Sequence, residues 1–142
     1  MSTGQAFIDF SRFCNDRLQS VIPNVDIDGN GNLATPYFYI QQGPEDFGGG
    51  RLMASMFVLG RLVVSKEANR TLADTAAYYK DTVRRLLTQD QGEMLEKFQR
   101  RDVGSAVSSG HYYFYLRSIT ADLSEVDDKA EHVFTFEIRT GG

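Results

Sequence analysis

Apolar side chains fall at every third or fourth position near the start of the chain (Phe7, Phe10, Cys14, Leu18, Val21), while Asp9, Arg12, Asn15, Asp16 and Gln19 occupy the rest of the wheel. That spacing predicts an amphipathic helix over residues 5–20, stopped by Pro23. Tyr37-Phe38-Tyr39-Ile40 then reads as a short strand that ends at Gly43-Pro44. After a loop from Glu45 to Gly50, Arg51 to Ser65 reads as a long strand pairing with Tyr37 to Gln42, with Gly60 marking a bulge. From Lys66 to Thr88 the period returns to that of a helix. Leu72, Ala76, Tyr79, Val83 and Leu86 or Leu87 form its stripe, and Thr71 or Asn69 caps its start.

Met94, Leu95 and Phe98 predict a second, shorter helix over Gln91 to Arg101, and Val103 to Gly110 is a connection of small residues. His111 to Leu123 and Glu131 to Arg139 are the clearest strands, the latter alternating His132, Phe134, Phe136, Ile138 against Val133, Thr135, Glu137, Arg139. The acidic segment from Ser124 to Lys129 joins them as a hairpin loop. The expected fold is therefore α+β, a mostly antiparallel four-stranded sheet with helices packed on one face in the order α-β-β-α-β-β, forming one domain over residues 1–142.

Composition narrows the function by exclusion. A net charge of −4 and a pI near 5.1 argue against nucleic-acid binding through the protein's general field, which needs uncompensated Lys and Arg. The basic concentration Lys80, Arg84, Arg85, Lys97, Arg100, Arg101 is offset by Asp81, Glu93 and Glu96, each four residues ahead of a cation, so it reads as a solvated or subunit-facing helix surface. Cys14 is the only cysteine, so no disulfide closes within the chain, and a reducing compartment, the cytoplasm, is expected. Asp9 and Arg12 interrupt the N-terminal region where a signal peptide needs an apolar core. The apolar run Met56 to Leu59 is far short of the ~20 residues that span a bilayer, so a soluble chain without a membrane partner is expected.

Asp26, Asp28, Asn30 and Gly31 match the first half of a calcium loop, but the position of the bidentate Glu is Tyr37, preceded by Pro36. A chain-reversing turn explains the stretch better. Phe47-Gly48-Gly49-Gly50 lacks the helix that would aim N–H groups at a phosphate and reads as a hairpin tip that, with Phe47 and Arg51 exposed, suits docking. His111 and His132 stand without paired ligands, and Cys14 lies on the apolar stripe, where an inert buried thiol is the expectation. No catalytic, cofactor-binding or metal-binding residue is assigned. Tyr112-Tyr113-Phe114-Tyr115 carries rings toward both faces of one strand, which points to a second face covered by a helix or by a neighbouring subunit.

The arrangement from "FIDFSRFCNDRL" through "TPYFYI" and "TLADTAAYYKDTVRRLL" to "HVFTFEIR" resembles the tail terminator proteins of long-tailed bacteriophages, the lambda-type head–tail joining family. The resemblance rests on the order of elements and carries no residue over by motif. It implies a non-enzymatic structural protein of the virion, assembled in the host cytoplasm. Its place would be the head-proximal end of the tail, as a homohexameric ring that caps the tail tube, ends its polymerisation and meets the head connector or stopper, with DNA passing through the lumen unbound. Candidate interface residues are Phe47 and Arg51 in one loop, Glu125 and Asp127 in the acidic loop, Arg84 and Arg85 on the second helix, and Tyr113 and Tyr115 on the aromatic strand. Another neck or tail-tube component of a phage or injection machine, and a small ligand-binding α+β enzyme, are the alternatives.

One test follows from the incomplete calcium loop. Titration calorimetry should show no calcium binding in the micromolar range of sensor loops, with Asp26→Ala indistinguishable from the parent; saturable heat abolished by Asp26→Ala would restore the metal-site reading.

Overall fold

A computed structural model describes residues 3–27, 34–46, 54–88, 96–99, 111–126 and 128–140. Helix α1 (Thr3–Leu18) is followed by strands β1 (Asn24–Ile27), β2 (Tyr37–Asp46) and β3 (Ala54–Ser65), helix α2 (Leu72–Leu87), and strands β4 (Glu96–Gln99), β5 (His111–Val126) and β6 (Lys129–Thr140). The strands form one six-stranded sheet in the order β1-β2-β3-β6-β5-β4. All its pairings are antiparallel except that of β1 with β2. The class is α+β, as expected, with two helices among the described residues, but the sheet is larger than four strands and mixed.

Two short edge strands account for the difference. Asn24–Ile27 pairs in parallel with Tyr37–Ile40, where composition alone suggests only a turn. At the other edge, Glu96–Gln99 pairs with His111–Phe114 within the segment expected to be a second helix. Of the expected helical ion pairs Glu93–Lys97 and Glu96–Arg100, Glu96 and Lys97 lie in this strand, while Glu93 and Arg100 lie outside the described residues. Residues 28–33, which complete the Asp- and Asn-rich stretch, and Val103 to Gly110 lie outside the described residues. The expected loop from Ser124 to Lys129 is mostly strand: β5 runs to Val126, Val126 pairs with Lys129, and Asp128 holds φ 58 at the turn.

Both helices lie on one face. They touch each other, and each touches β3 and β6. Phe7, Phe10, Cys14 and Leu18 of α1 and Ala76, Val83 and Leu87 of α2 are buried against Phe38, Ile40, Met56, Val58, Leu62, Phe114, Phe134, Phe136 and Ile138 of the sheet. The helical stripe at period 3.6 and the strand alternation at period 2 thus meet in one core. Phe10 fits between Phe114 and Phe136, with ring centroids at 5.0 and 5.1 Å in tilted geometry. Thr71 caps α2 by accepting the Asp74 N–H at 3.1 Å, and Tyr79 donates to Glu67 at 2.7 Å, fixing the segment that enters the helix. Arg17 of α1 donates to the Leu86 carbonyl in the last turn of α2 at 3.5 Å. Burial of Cys14 pushes its thiol well up, which suppresses the reactive thiolate.

Gly60 makes no bulge; it keeps regular register with Ile40 on one side and Phe134 on the other. The shift in β2 falls instead between Gln42 and Glu45, around Gly43-Pro44, and β5 has a further one between Leu116 and Ser118. What Gly60 supplies is space. The Phe38 ring lies over it, so that a Cβ there would overlap Cζ and sit 2.8 Å from Cε2. Phe38 is wholly buried and cannot swing into solvent. Gly60→Ala should cost about 2–3 kcal/mol by overpacking, read from urea unfolding, and Phe38→Leu in the same chain should recover part of it.

Candidate interaction surface

The sheet face turned away from the helices is built in rows across the strands. Tyr39, Arg61, Val133 and Thr120 form one row, Gln41, Leu59, Thr135 and Ser118 the next, then Phe57, Glu137 and Tyr115, and last Ser55, Arg139 and Tyr113. Among the described residues no helix covers these positions, yet Tyr39, Phe57, Leu59 and Val133 are apolar or aromatic and only half-exposed. Arg61 and Glu131 bridge this face at 2.8 Å.

The most ordered chemistry of the face centres on Glu137. Glu137 is buried, its side chain 6% exposed, although it lies on the uncovered side of the sheet, between Phe57 of β3 and Tyr115 of β5. A carboxylate held so far from water needs compensating donors. Tyr115 donates its phenol to Oε2, Arg139 donates Nε–H to the same oxygen at 3.0 Å, and Arg117 stands 3.7 Å from Oε1. Both guanidinium groups also donate to the Tyr115 oxygen, at 3.0 and 3.2 Å, and lie over its ring at 5.0 and 5.8 Å. Arg117 lies two residues beyond Tyr115 and so on the same face, and it is the unpaired residue of a register shift in β5, where Leu116 pairs with Phe136 and Ser118 with Thr135.

The residues expected at an interface divide among different places. Tyr113 and Tyr115 do share the helix-free face, with Tyr113 47% exposed. Arg84 and Arg85 are exposed in the last turn of α2, on the opposite side of the sheet, so they are not brought together with the tyrosines. Glu125 lies near the end of β5. Phe47, Arg51 and Asp127 fall outside the described residues. Arg117, Glu137 and Arg139 were not among the expected residues; Glu137 and Arg139 sit opposite Tyr115 and Tyr113, and Arg117 lies two residues beyond Tyr115.

Other chemistry is sparse among the described residues. No group of three His, Cys, Asp or Glu side chains is placed to hold a metal. An open depression of about 520 Å³ at the end of α1 is lined by Asp16, Gln19, Ser20 and Pro23, a set without an apolar enclosure. No helix there is long and apolar enough to cross a membrane. His132 lies half-buried on the helix side, its Nδ1 without a hydrogen-bond partner among the described residues.

No known family profile matches the chain, and no curated protein matches it in sequence. In three dimensions it is similar to a chain in the solved structure titled "Virion of native gene transfer agent (GTA) particle", with 12% identity and a TM-score of 0.52, over 99% of this chain and 100% of that one. At that identity the likeness establishes a shared fold across the whole length of both.

The environment of His132 gives a pH dependence with a definite sign. Burial, and then the charge of Lys80, lower its pKa from 6.5, with Asp81 opposing. The unfolded chain therefore binds this proton more readily than the folded one, so the contribution to stability is complete above 6.5 and is lost as pH falls toward the lowered value. Urea midpoints should fall between about pH 7 and pH 5, before most carboxylates titrate, and His132→Gln should flatten that slope; an unchanged slope would remove His132 as its source.

Proposed function

We propose that the chain is a structural subunit of a phage-type virion, and more specifically a tail terminator that forms a six-membered ring at the head-proximal end of the tail tube. The observation that carries the general reading is the end-to-end correspondence of fold with a chain of a gene transfer agent particle. The order of elements, two helices on one side of an open sheet, supports the terminator form. In this reading the ring ends tube polymerisation and contacts the tube protein below and the head connector above. The segment containing Phe47 and Arg51 and the hairpin end containing Glu125 and Asp127 contribute to those contacts. A chain with net charge −4 gives passing DNA little counter-charge to hold it.

The helix-free sheet face and the exposed arginines of α2 fit a subunit with different patches on its two sides, the arrangement that closes into rings. The solvent-open depression at Asp16 gives the enzyme alternative little support, since binding pockets are concave and mostly apolar. A neck or tube subunit shares most of this reasoning and differs in position.

Position is therefore the test. Cryo-electron microscopy of particles carrying this chain should place six copies as a ring at the junction of tail and head. Density along the tube or within the head connector would transfer the chain to another virion role, and its absence from particles would end the virion reading.

A further inference from the structure

The cluster around Glu137 sets two guanidinium groups on one carboxylate, which leaves one positive charge unmatched. The arginine side chains are about half exposed, at 50% and 47%, over a carboxylate side chain that is 6% exposed. Both also donate to the Tyr115 oxygen, at 3.0 and 3.2 Å, so the two donating nitrogens stand no more than about 6 Å apart. Among the described residues Arg117 donates from Nη1 and Arg139 from Nε and Nη2, and most of the five N–H groups of each guanidinium are left over. Two cations this close repel each other, and a second anion placed across them relieves that repulsion. A carboxylate suits the place, because its two oxygens can take one N–H from each guanidinium. Little side-chain freedom is lost on binding, since pairing with Glu137 and stacking on Tyr115 already fix both arginines.

The surroundings decide what carries that carboxylate. On the same face Tyr39, Phe57, Leu59 and Val133 are half-exposed, with Phe57 directly opposite Glu137. At the far margin Arg61 is already paired with Glu131 at 2.8 Å, so the unmatched charge of these rows is at the Arg117–Arg139 end. The face is therefore apolar with one positive end, and its complement is a chain segment in which an acidic residue stands beside apolar ones. A free small anion would cover none of the apolar rows. Nucleic acid fits less well still, because one unmatched charge on a protein of net charge −4 lacks the footprint that phosphate backbones require. We propose that the helix-free face is the docking site for an acidic and apolar segment of a different protein of the particle, with one Asp or Glu carboxylate seated between Arg117 and Arg139 and apolar side chains laid over Phe57 and Leu59. The proposal rests on the reading of the chain as an assembling virion subunit for the source of the partner, and on the face itself for the partner's chemistry.

The test titrates the full chain with a probe peptide, acetyl-Leu-Glu-Phe-amide, and follows the Arg117 and Arg139 Nε–H resonances by NMR. Both should shift saturably at low salt, and added salt should weaken the binding. Affinity should fall at least about threefold for the Gln counterpart of the peptide, for acetate alone and for the Arg117→Gln protein. Circular dichroism and the urea midpoint check the folding of Arg117→Gln. Where it is impaired, Arg117→Lys, which keeps the charge and loses the planar fork, should weaken binding instead. Lys66→Gln removes the same charge from an exposed position beyond the far end of β3 and should leave the titration unchanged. No saturable shift in the millimolar range overturns the proposal, as does a Gln peptide or acetate that binds as well as the Glu peptide, or a Lys66→Gln effect equal to that of Arg117→Gln. A thymidine oligonucleotide that moves the same resonances with higher affinity would give the pair to phosphate, and movement on concentrating the chain alone would give the face to a second copy; either result overturns it too. None of these outcomes depends on where particle imaging places the chain, so the site can fail while the virion role stands.

Discussion

Phe38 and Phe134 belong to strands that are not neighbours, yet their rings meet at 5.9 Å across the strand between them. They can do so because Gly60, in that intervening strand, leaves the space empty. The contact spans the one seam on which the sheet depends. The strands before α2 form the block β1-β2-β3, those after it form β6-β5-β4, and among the described residues β3 with β6 is the strand pairing that joins them. The seam runs the whole length of β3, from Ala54 opposite Thr140 to Ser65 opposite Lys129. Pairings so distant in sequence carry a closure cost before they return anything, so the seam needs side-chain contacts that neither block can make alone. Phe38 with Phe134 is one such contact. Phe10, wedged against Phe114 and Phe136, is another, since it brings the first helix onto the last hairpin.

Once the seam has formed, the two faces of the sheet are committed to different work. The helix side collects the buried aromatic and aliphatic side chains, and because both helices lie there, the opposite side is left to manage its own polar groups. It does so locally. Glu137 is shielded by flanking rings and satisfied by one phenol and two guanidinium groups, an arrangement in which every member limits the motion of the others. Arg117 joins it from two residues beyond Tyr115 on the same strand face, at the point where the β5 register shifts. The outcome is a rigid polar cluster at the margin of a half-exposed apolar surface holding Phe57, Leu59 and Val133.

Periodicity made much of this architecture legible. The stripes of α1 and α2 and the strands around Phe38, Val58, Phe114 and Phe136 lie close to where the hydrophobic pattern puts them, and Thr71 is indeed the cap of α2. Short edge strands were not legible. Four residues are too few to show a period: Asn24–Ile27 is masked by turn-forming neighbours, and Met94, Leu95 and Phe98 imitate a helical stripe although Glu96–Gln99 pairs with β5. Gly60 looks like a strand defect until register shows that an aromatic ring fills its place. The polar cluster was illegible for a similar reason. Glu137 occupies an outward position in an alternating strand, where sequence implies a solvated acid, and only tertiary structure reveals the rings and arginines that enclose it. Tyr113 and Tyr115 were visible as aromatics without an inner role, but the arginines beside them gave no periodic signal.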